Sequence, residues 1–303
     1  SSESDDFSLR VFVGSRVASV SASPGFDLTV LAERAVAMAK ASPEDPFACL
    51  ADAADLSRDH ADLGLFDPTE VSSAQLTDAA LDMENAALAV QGVSNSAGAG
   101  ASASMGGLVL VTSHGFSGSY MATRFGRGIS VIAGEGTGME RDHEGDSRLH
   151  FADLDAASDI GRKAGERAVR RLNPRKADTG NGVTVIYDPR VARGLVSHVA
   201  SAINGAAIAR KTSFLKDRMG QQILRRGLVI SDNPQIYKGS SSRPFDGEGV
   251  QGQPLLMVED GILKHWFLAT SAARELGLVT NGRGVRGGNS VSPSSTNLAL
   301  EPG

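Results

Sequence analysis

The sequence has one cysteine, Cys49, so it cannot close an internal disulfide, and both a disulfide-built secreted scaffold and an all-cysteine zinc site are excluded. Long apolar runs are also missing. Stretches such as Gly107-Leu108-Val109-Leu110-Val111 fall far short of the ~20 residues that span a bilayer. No signal peptide opens the chain, which starts with the acidic Ser1-Ser2-Glu3-Ser4-Asp5-Asp6. Positive charge is in deficit, with 30 Lys and Arg against 35 Asp and Glu for a net −5. That balance argues against nonspecific nucleic-acid binding, which depends on phosphate neutralisation. A soluble cytoplasmic protein without a membrane partner is the expectation. P-loop, dinucleotide and GxSxG signatures are lacking, and Ser119, Tyr120 and Ser201 have no His or Asp paired with them nearby in sequence.

What is present is a chain of 303 residues, 41% hydrophobic, long enough for two domains or one large one. It has no initiator Met and stops at Asn297-Leu298-Ala299-Leu300-Glu301-Pro302-Gly303, which reads as a strand running into a turn, so both ends look cut from a longer chain.

Periodicity predicts elements of both kinds. Phe7-Ser8-Leu9-Arg10-Val11-Phe12-Val13 alternates, Gly14-Ser15 turns, and residues 17–23 alternate again, which makes a hairpin. Asp27 is placed to cap a helix over 28–40, Pro43, Pro46 and Pro68 make 41–73 irregular, and a second helix fits 74–90. Residues 93–150 turn rich in Ala, Gly and Ser, with apolar strands near 108–112, 119–123 and 129–133, which predicts an antiparallel meander. Residues 94–104 read alternatively as a Ser/Gly linker. A helix fits 151–176, ended by Asn173-Pro174. Residues 183–187 read as a buried strand, Asp188-Pro189 starts a helix over 189–208, and a short helical segment fits 213–224. Strands follow at 227–230, 254–259 and 262–269, with a hairpin turn at Glu259-Asp260-Gly261, and 280–296 reads as a Gly/Ser/Arg-rich loop. The expected class is α/β of the α+β type. An N-terminal α/β domain spans 1–92. A β-rich, largely antiparallel domain spans 93–303, with helices near 152–173 and 189–208.

Four candidate sites emerge. His143, Glu144 and His150 sit in an acidic run of residue types that suit zinc, but their spacing matches no helical metal motif, and a solvated charged strand competes with a ligand set. His198 lies in the 189–208 helix without a Glu after it or a His one turn on. Arg162, Lys163, Arg167, Arg170, Arg171, Arg175 and Lys176 are interleaved with Asp155, Asp159 and Glu166, the pattern of a solvated helix face. Gly282-Arg283-Gly284-Val285-Arg286-Gly287-Gly288 reads as a basic loop and not a phosphate cradle, because no helix start follows it.

Five segments in order resemble the TldD/PmbA family, once called modulators of DNA gyrase. They are Ser113 to Tyr120, Arg162 to Lys176, Arg210-Lys211-Thr212-Ser213-Phe214-Leu215-Lys216-Asp217, Ser242 to Val250, and Ala273-Arg274-Glu275-Leu276-Gly277-Leu278. Within the family the sequence is similar to the PmbA/TldE branch. The resemblance implies a two-component zinc metallopeptidase of the bacterial cytoplasm that acts on unstructured peptides and is linked to maturation of a peptide antibiotic and degradation of an antitoxin. In it, the TldD-type subunit carries zinc on an HExxxH helix and the PmbA/TldE-type subunit is its partner. That helix would fall on His198-Val199-Ala200-Ser201-Ala202-Ile203, where Val199 replaces the general-base Glu and Ile203 the second His. The expectation is therefore a non-catalytic subunit that binds no metal itself, with peptide substrate and a TldD-like subunit as partners and a homodimer as a further possibility. Two rivals stand beside it. One is an independent metallopeptidase using His143, Glu144 and His150. The other is a non-proteolytic regulator of gyrase or of a toxin–antitoxin pair.

Overall fold

The computed structural model describes residues 2–176, 180–287 and 290–302. Strands β1 (Phe7–Val13) and β2 (Arg16–Ala22) form the expected hairpin. Helix α1 (Leu28–Ala41) begins where the Asp27 carboxylate accepts the N–H groups of Thr29 and Val30, and it lays Leu31 and Ala35 on Val20 of the hairpin. The proline-marked connection follows without regular structure as far as α2 (Ser73–Leu88), which starts at a capping box of Ser72 and Gln75.

The meander is three antiparallel strands in the order β3 (Val93–Val111), β4 (Ser117–Ala133), β5 (Glu140–Arg148). Residues 94–104 belong to β3, and the short strands expected in this region merge into two long ones. Gly106, Gly107 and Gly126 lie inside ladders and do not end them. Helix α3 (Ala157–Arg170) is shorter than the helix expected over 151–176. Residues 151–153 form a 3₁₀ turn, and Asn173 adopts a left-handed φ of 54° ahead of Pro174. Helices α2 and α3 cover one face of the sheet, where Met83 and Ala87 meet Ile129, Val131, Ala133, Ile160, Ala164 and Ala168. Residue 92 is an exposed link between α2 and β3, both of which pack into this core. A Cβ on Gly161 would stand 2.0 Å from the Met83 carbonyl oxygen, so the close approach of the two helices requires glycine there.

The remaining strands build a second sheet in the order β11 (Asn297–Leu300), β6 (Ile230–Asn233), β7 (Leu255–Glu259), β8 (Ile262–Leu263). Asp260 and Gly261, at φ 49° and 75°, make the two-residue hairpin turn between β7 and β8. Helix α4 (Pro189–Ala202) stops at Ile203, and Asn204 starts α5 (Gly205–Ala209) by accepting the N–H groups of Ala206 and Ala207, so one expected helix is two. Helix α6 (Thr270–Glu275) follows β8. The 280–296 stretch, expected as a loop, contains a hairpin of β9 (Gly284–Gly287) and β10 (Ser290–Pro293). The core here is Ala202, Ile203, Leu215, Ile230, Met257, Val258, Leu263 and Phe267.

Three further expectations fail and a fourth shifts. Residues 183–187 form no strand, and Val183, Val185, Ile186 and Tyr187 are 50–91% exposed, because no described strand offers its edge to their backbone. Residues 213–224 are turns, and 264–269 leave the sheet after Leu263. Strand β6 lies at 230–233, three residues beyond the start of the expected 227–230 strand.

Candidate functional site

Helix α4 carries the chemistry that sequence reasoning singled out, and local residues set its start. The Asp188 carboxylate accepts the Arg190 N–H, and Pro189 takes a first-turn position, where a missing N–H costs nothing. Arg190 then reaches β5, donating from Nη1 to Asp142 Oδ1 at 3.2 Å and to the His143 carbonyl at 2.9 Å. Arg171, just past α3, pairs with Asp142 Oδ2 at 2.8 Å. Burial raises the Asp142 pKa, but the His143 N–H and the two guanidiniums outweigh it and hold the carboxyl below its ordinary range.

Along α4, Val196, Val199, Ala200, Ala202 and Ile203 face the C-terminal core, and Ile203 is fully enclosed. His198 points out to solvent beside the exposed Val191 and Leu195. A groove of about 840 Å³ runs between α4 and residues 293–298, with Ser240 and Ser241 on its rim. Its helix hydroxyls are already engaged. Ser197 Oγ donates to the Arg193 carbonyl and Ser201 Oγ to the Ser197 carbonyl, so neither is set up as a nucleophile. With one imidazole and two apolar side chains at the three motif positions, α4 does not fit a zinc ion.

The structure does not bring His143, Glu144 and His150 together as a ligand set. Residues 142, 144 and 146 of β5 share the face covered by α3, and Glu144 pairs there with Arg167. The His143 side chain is 73% exposed on the other face. His150 shares a hydrogen bond with the Gly64 carbonyl at 2.8 Å. Among the described residues, no three or more His, Cys, Asp or Glu converge on a metal-sized site. The basic helix is ion-paired as its sequence suggests, Arg162 with Asp159 and Glu166 and Lys163 with Asp155.

Two buried polar groups escaped the sequence reading. Arg283, expected in a basic loop, is fully buried and pairs with the equally buried Asp232 at 2.9 Å. It also donates to the carbonyls of Asn281, Asp232 and Gln253. Gly288 of that predicted loop lies outside the described residues. Asp246 accepts the N–H groups of Glu248, Val250 and Gly284, and Glu248 accepts both the N–H and the hydroxyl of Thr270. Burial raises both carboxyls' pKa values, and the charge of Asp246 raises that of Glu248 further. The available signal was acids spaced between glycines in Asp246-Gly247-Glu248-Gly249, a composition that favours turns whose carboxylates bind their own backbone.

Two consecutive family profiles match this chain, the PmbA/TldA metallopeptidase central domain over residues 66–172 and the C-terminal domain over residues 179–303. The chain belongs to the PmbA/TldD family. Metalloprotease PmbA of Escherichia coli O157:H7 is 38% identical over 82% of this chain and 56% of its own length. A PmbA homolog of Haemophilus influenzae is 34% identical over 90% of this chain and 61% of its own. The chain thus spans well under two thirds of these relatives. A Bacteroides thetaiotaomicron crystal structure, described as a candidate modulator of DNA gyrase, superposes with a TM-score of 0.82 at 25% identity, over 98% of this chain and 66% of that one. TldE of Thermococcus kodakarensis shares the fold, with a TM-score of 0.80 at 19% identity over 97% of this chain and 67% of its own. In this PmbA/TldD-family chain, none of the described helices is long and apolar enough to cross a membrane.

Proposed function

We propose that this chain is the PmbA/TldE-type, non-catalytic subunit of a cytoplasmic two-component metallopeptidase. Its TldD-like partner holds the zinc and cleaves unstructured peptides. The observation that carries the reading is the use of α4. At the position of the motif's second ligand stands Ile203, sealed in the core, and at that of the general base stands Val199, packed against the same core. The helix serves here as a wall.

A second observation bears on substrate. Strand β3 is a 19-residue edge of its sheet with no proline and no charge, and apart from Ser96 and Gly98, whose N–H groups bond to the Asn95 and Ser96 side chains at the bulges, it presents an edge of the kind that accepts an extended chain. A bound peptide adds to β3 as a further strand, by backbone bonds that tolerate many sequences. Peptide-soaked crystals of the complex in which neither subunit gains a strand would remove this part of the reading.

The main test is co-purification with a TldD-like subunit followed by a peptide-cleavage assay and metal analysis. The expected result is cleavage and one zinc only when the partner is present. Cleavage by this chain alone that survives His198→Ala would defeat the reading.

A further inference from the structure

The charge of this acidic chain is unevenly placed. Residues 210–226 contain Arg210, Lys211, Lys216, Arg218, Arg225 and Arg226 against a single acid, Asp217. All six cations are exposed. Among the described residues two of them have side-chain partners. Lys216 lies 3.6 Å from Asp217, and Arg218 donates to Gln221 at 2.9 Å. On the adjoining β7–β8 hairpin, Glu259 is paired with Lys264, and Asp260 accepts the Gly227 N–H.

The strip is held on a fixed frame. Residues 220–223 run beside β8, with Gly220 N–H on the Leu263 carbonyl, Leu263 N–H on that of Gln221, and Ile223 N–H on that of Gly261. At the other end, Lys211 takes a left-handed φ of 59°. The buried Ser213 hydroxyl donates to the Ala202 carbonyl and accepts the Leu215 N–H. Leu215 is anchored in the core, and between these two fixed residues Phe214 projects with 81% of its surface exposed. An exposed aromatic ring on a rigid turn, with Arg210, Lys211, Lys216 and Arg218 within four residues of it in the chain, has the composition of a contact hot spot.

We infer that this strip is a docking surface for acidic, unstructured polypeptide segments, with Phe214 taking an apolar residue and the six cations the carboxylates. The inference rests on the proposed role in a peptidase, whose substrate class it narrows. Single-stranded nucleic acid is the weaker match, because base stacking uses aromatic rings in series and the strip offers one, while the rest of the surface is acidic and repels a long polyanion.

The test is fluorescence anisotropy of this chain with labelled twelve-residue peptides: alternating Glu-Ala with one central Leu, its Lys-Ala counterpart, a Ser-Ala control, and an oligothymidylate of equal length. The acidic peptide is expected to bind about tenfold tighter than the neutral one at low salt. That preference should fade as salt rises, fall about fivefold in R225E/R226E, and fall about threefold in F214A. Equal binding of all peptides, or tighter binding of the oligonucleotide, overturns the inference. So does acidic binding unchanged in all three substituted positions. The same peptides are then offered to the complex with a TldD-like subunit. Cleavage without charge preference, unaltered by R225E/R226E, removes the docking role and leaves the subunit reading standing. Selective acidic binding without any stimulated cleavage does the reverse.

Discussion

Ile203 and Arg283 are both fully enclosed, yet they hold the C-terminal core by different physics. Ile203 contributes apolar area and volume. Ile203→Ala is expected to lower stability by about 2–4 kcal/mol in denaturant unfolding, and Ile203→His to lower it as well by burying an unpartnered imidazole without gaining a metal site. Arg283 spreads its donors over Asp232 and three carbonyls, while Asp232 also takes the N–H and hydroxyl of Thr296. Arg283→Met leaves that carboxylate buried without its cation and is expected to cost about 3–5 kcal/mol. Arg283→Lys does not restore the loss, because an ammonium cannot reproduce the planar fork. Thermal unfolding of the four variants checks these expectations.

Among the elements, the α2–α3 contact is the least forgiving. Gly161→Ala drives a methyl into the Met83 carbonyl, so the helices must part, at an expected cost of about 3 kcal/mol read from denaturant midpoints. The long elements were legible in the sequence where a cap and a period agree, as with Asp27 ahead of α1 and the alternation of β1 and β2. They were illegible where a residue's partner is remote. Strand β3 was legible as part of a meander, with an apolar end near 108–111, but its Ala, Gly and Ser stretch did not show that it runs unbroken from 93, which it does because β4 pairs along its length. Residues 183–187 show the converse, with a strand-like composition that meets no edge. In the candidate site, Val199 and Ile203 on α4 were readable from two letters. The burial of Arg283 was not, because Asp232 lies 51 positions away.

In the whole molecule, Asp142 joins the sheet, the end of α3 and the start of α4 through Arg171 and Arg190. Its carboxyl pKa is lowered in the folded state. The stability it adds is therefore full above the ordinary carboxylate range and is lost as pH falls through the folded value. Asp142→Asn should cost about 1–2 kcal/mol at neutral pH and speed hydrogen exchange in the first turn of α4, and its gap to the unsubstituted protein should close in acid. Asp67 acts with the same sign, its carboxyl held low by the Thr69 hydroxyl and the Phe151 N–H, whereas Asp246 and Glu248 oppose it, being raised by burial. Acid unfolding should therefore be shallower than the lowered carboxylates alone would produce, which a pH series of unfolding midpoints measures.

The buried pair of Asp232 and Arg283 also bears on how the protein is made. During synthesis the acid leaves the ribosome well before its cation, and until Arg283 follows, the second sheet can close only around an unneutralised carboxylate. Its completion is thus tied to translation past Arg283. A product broken off between the two positions lacks the cation and is expected to stay open to cellular proteases, which limited proteolysis of such a truncation checks.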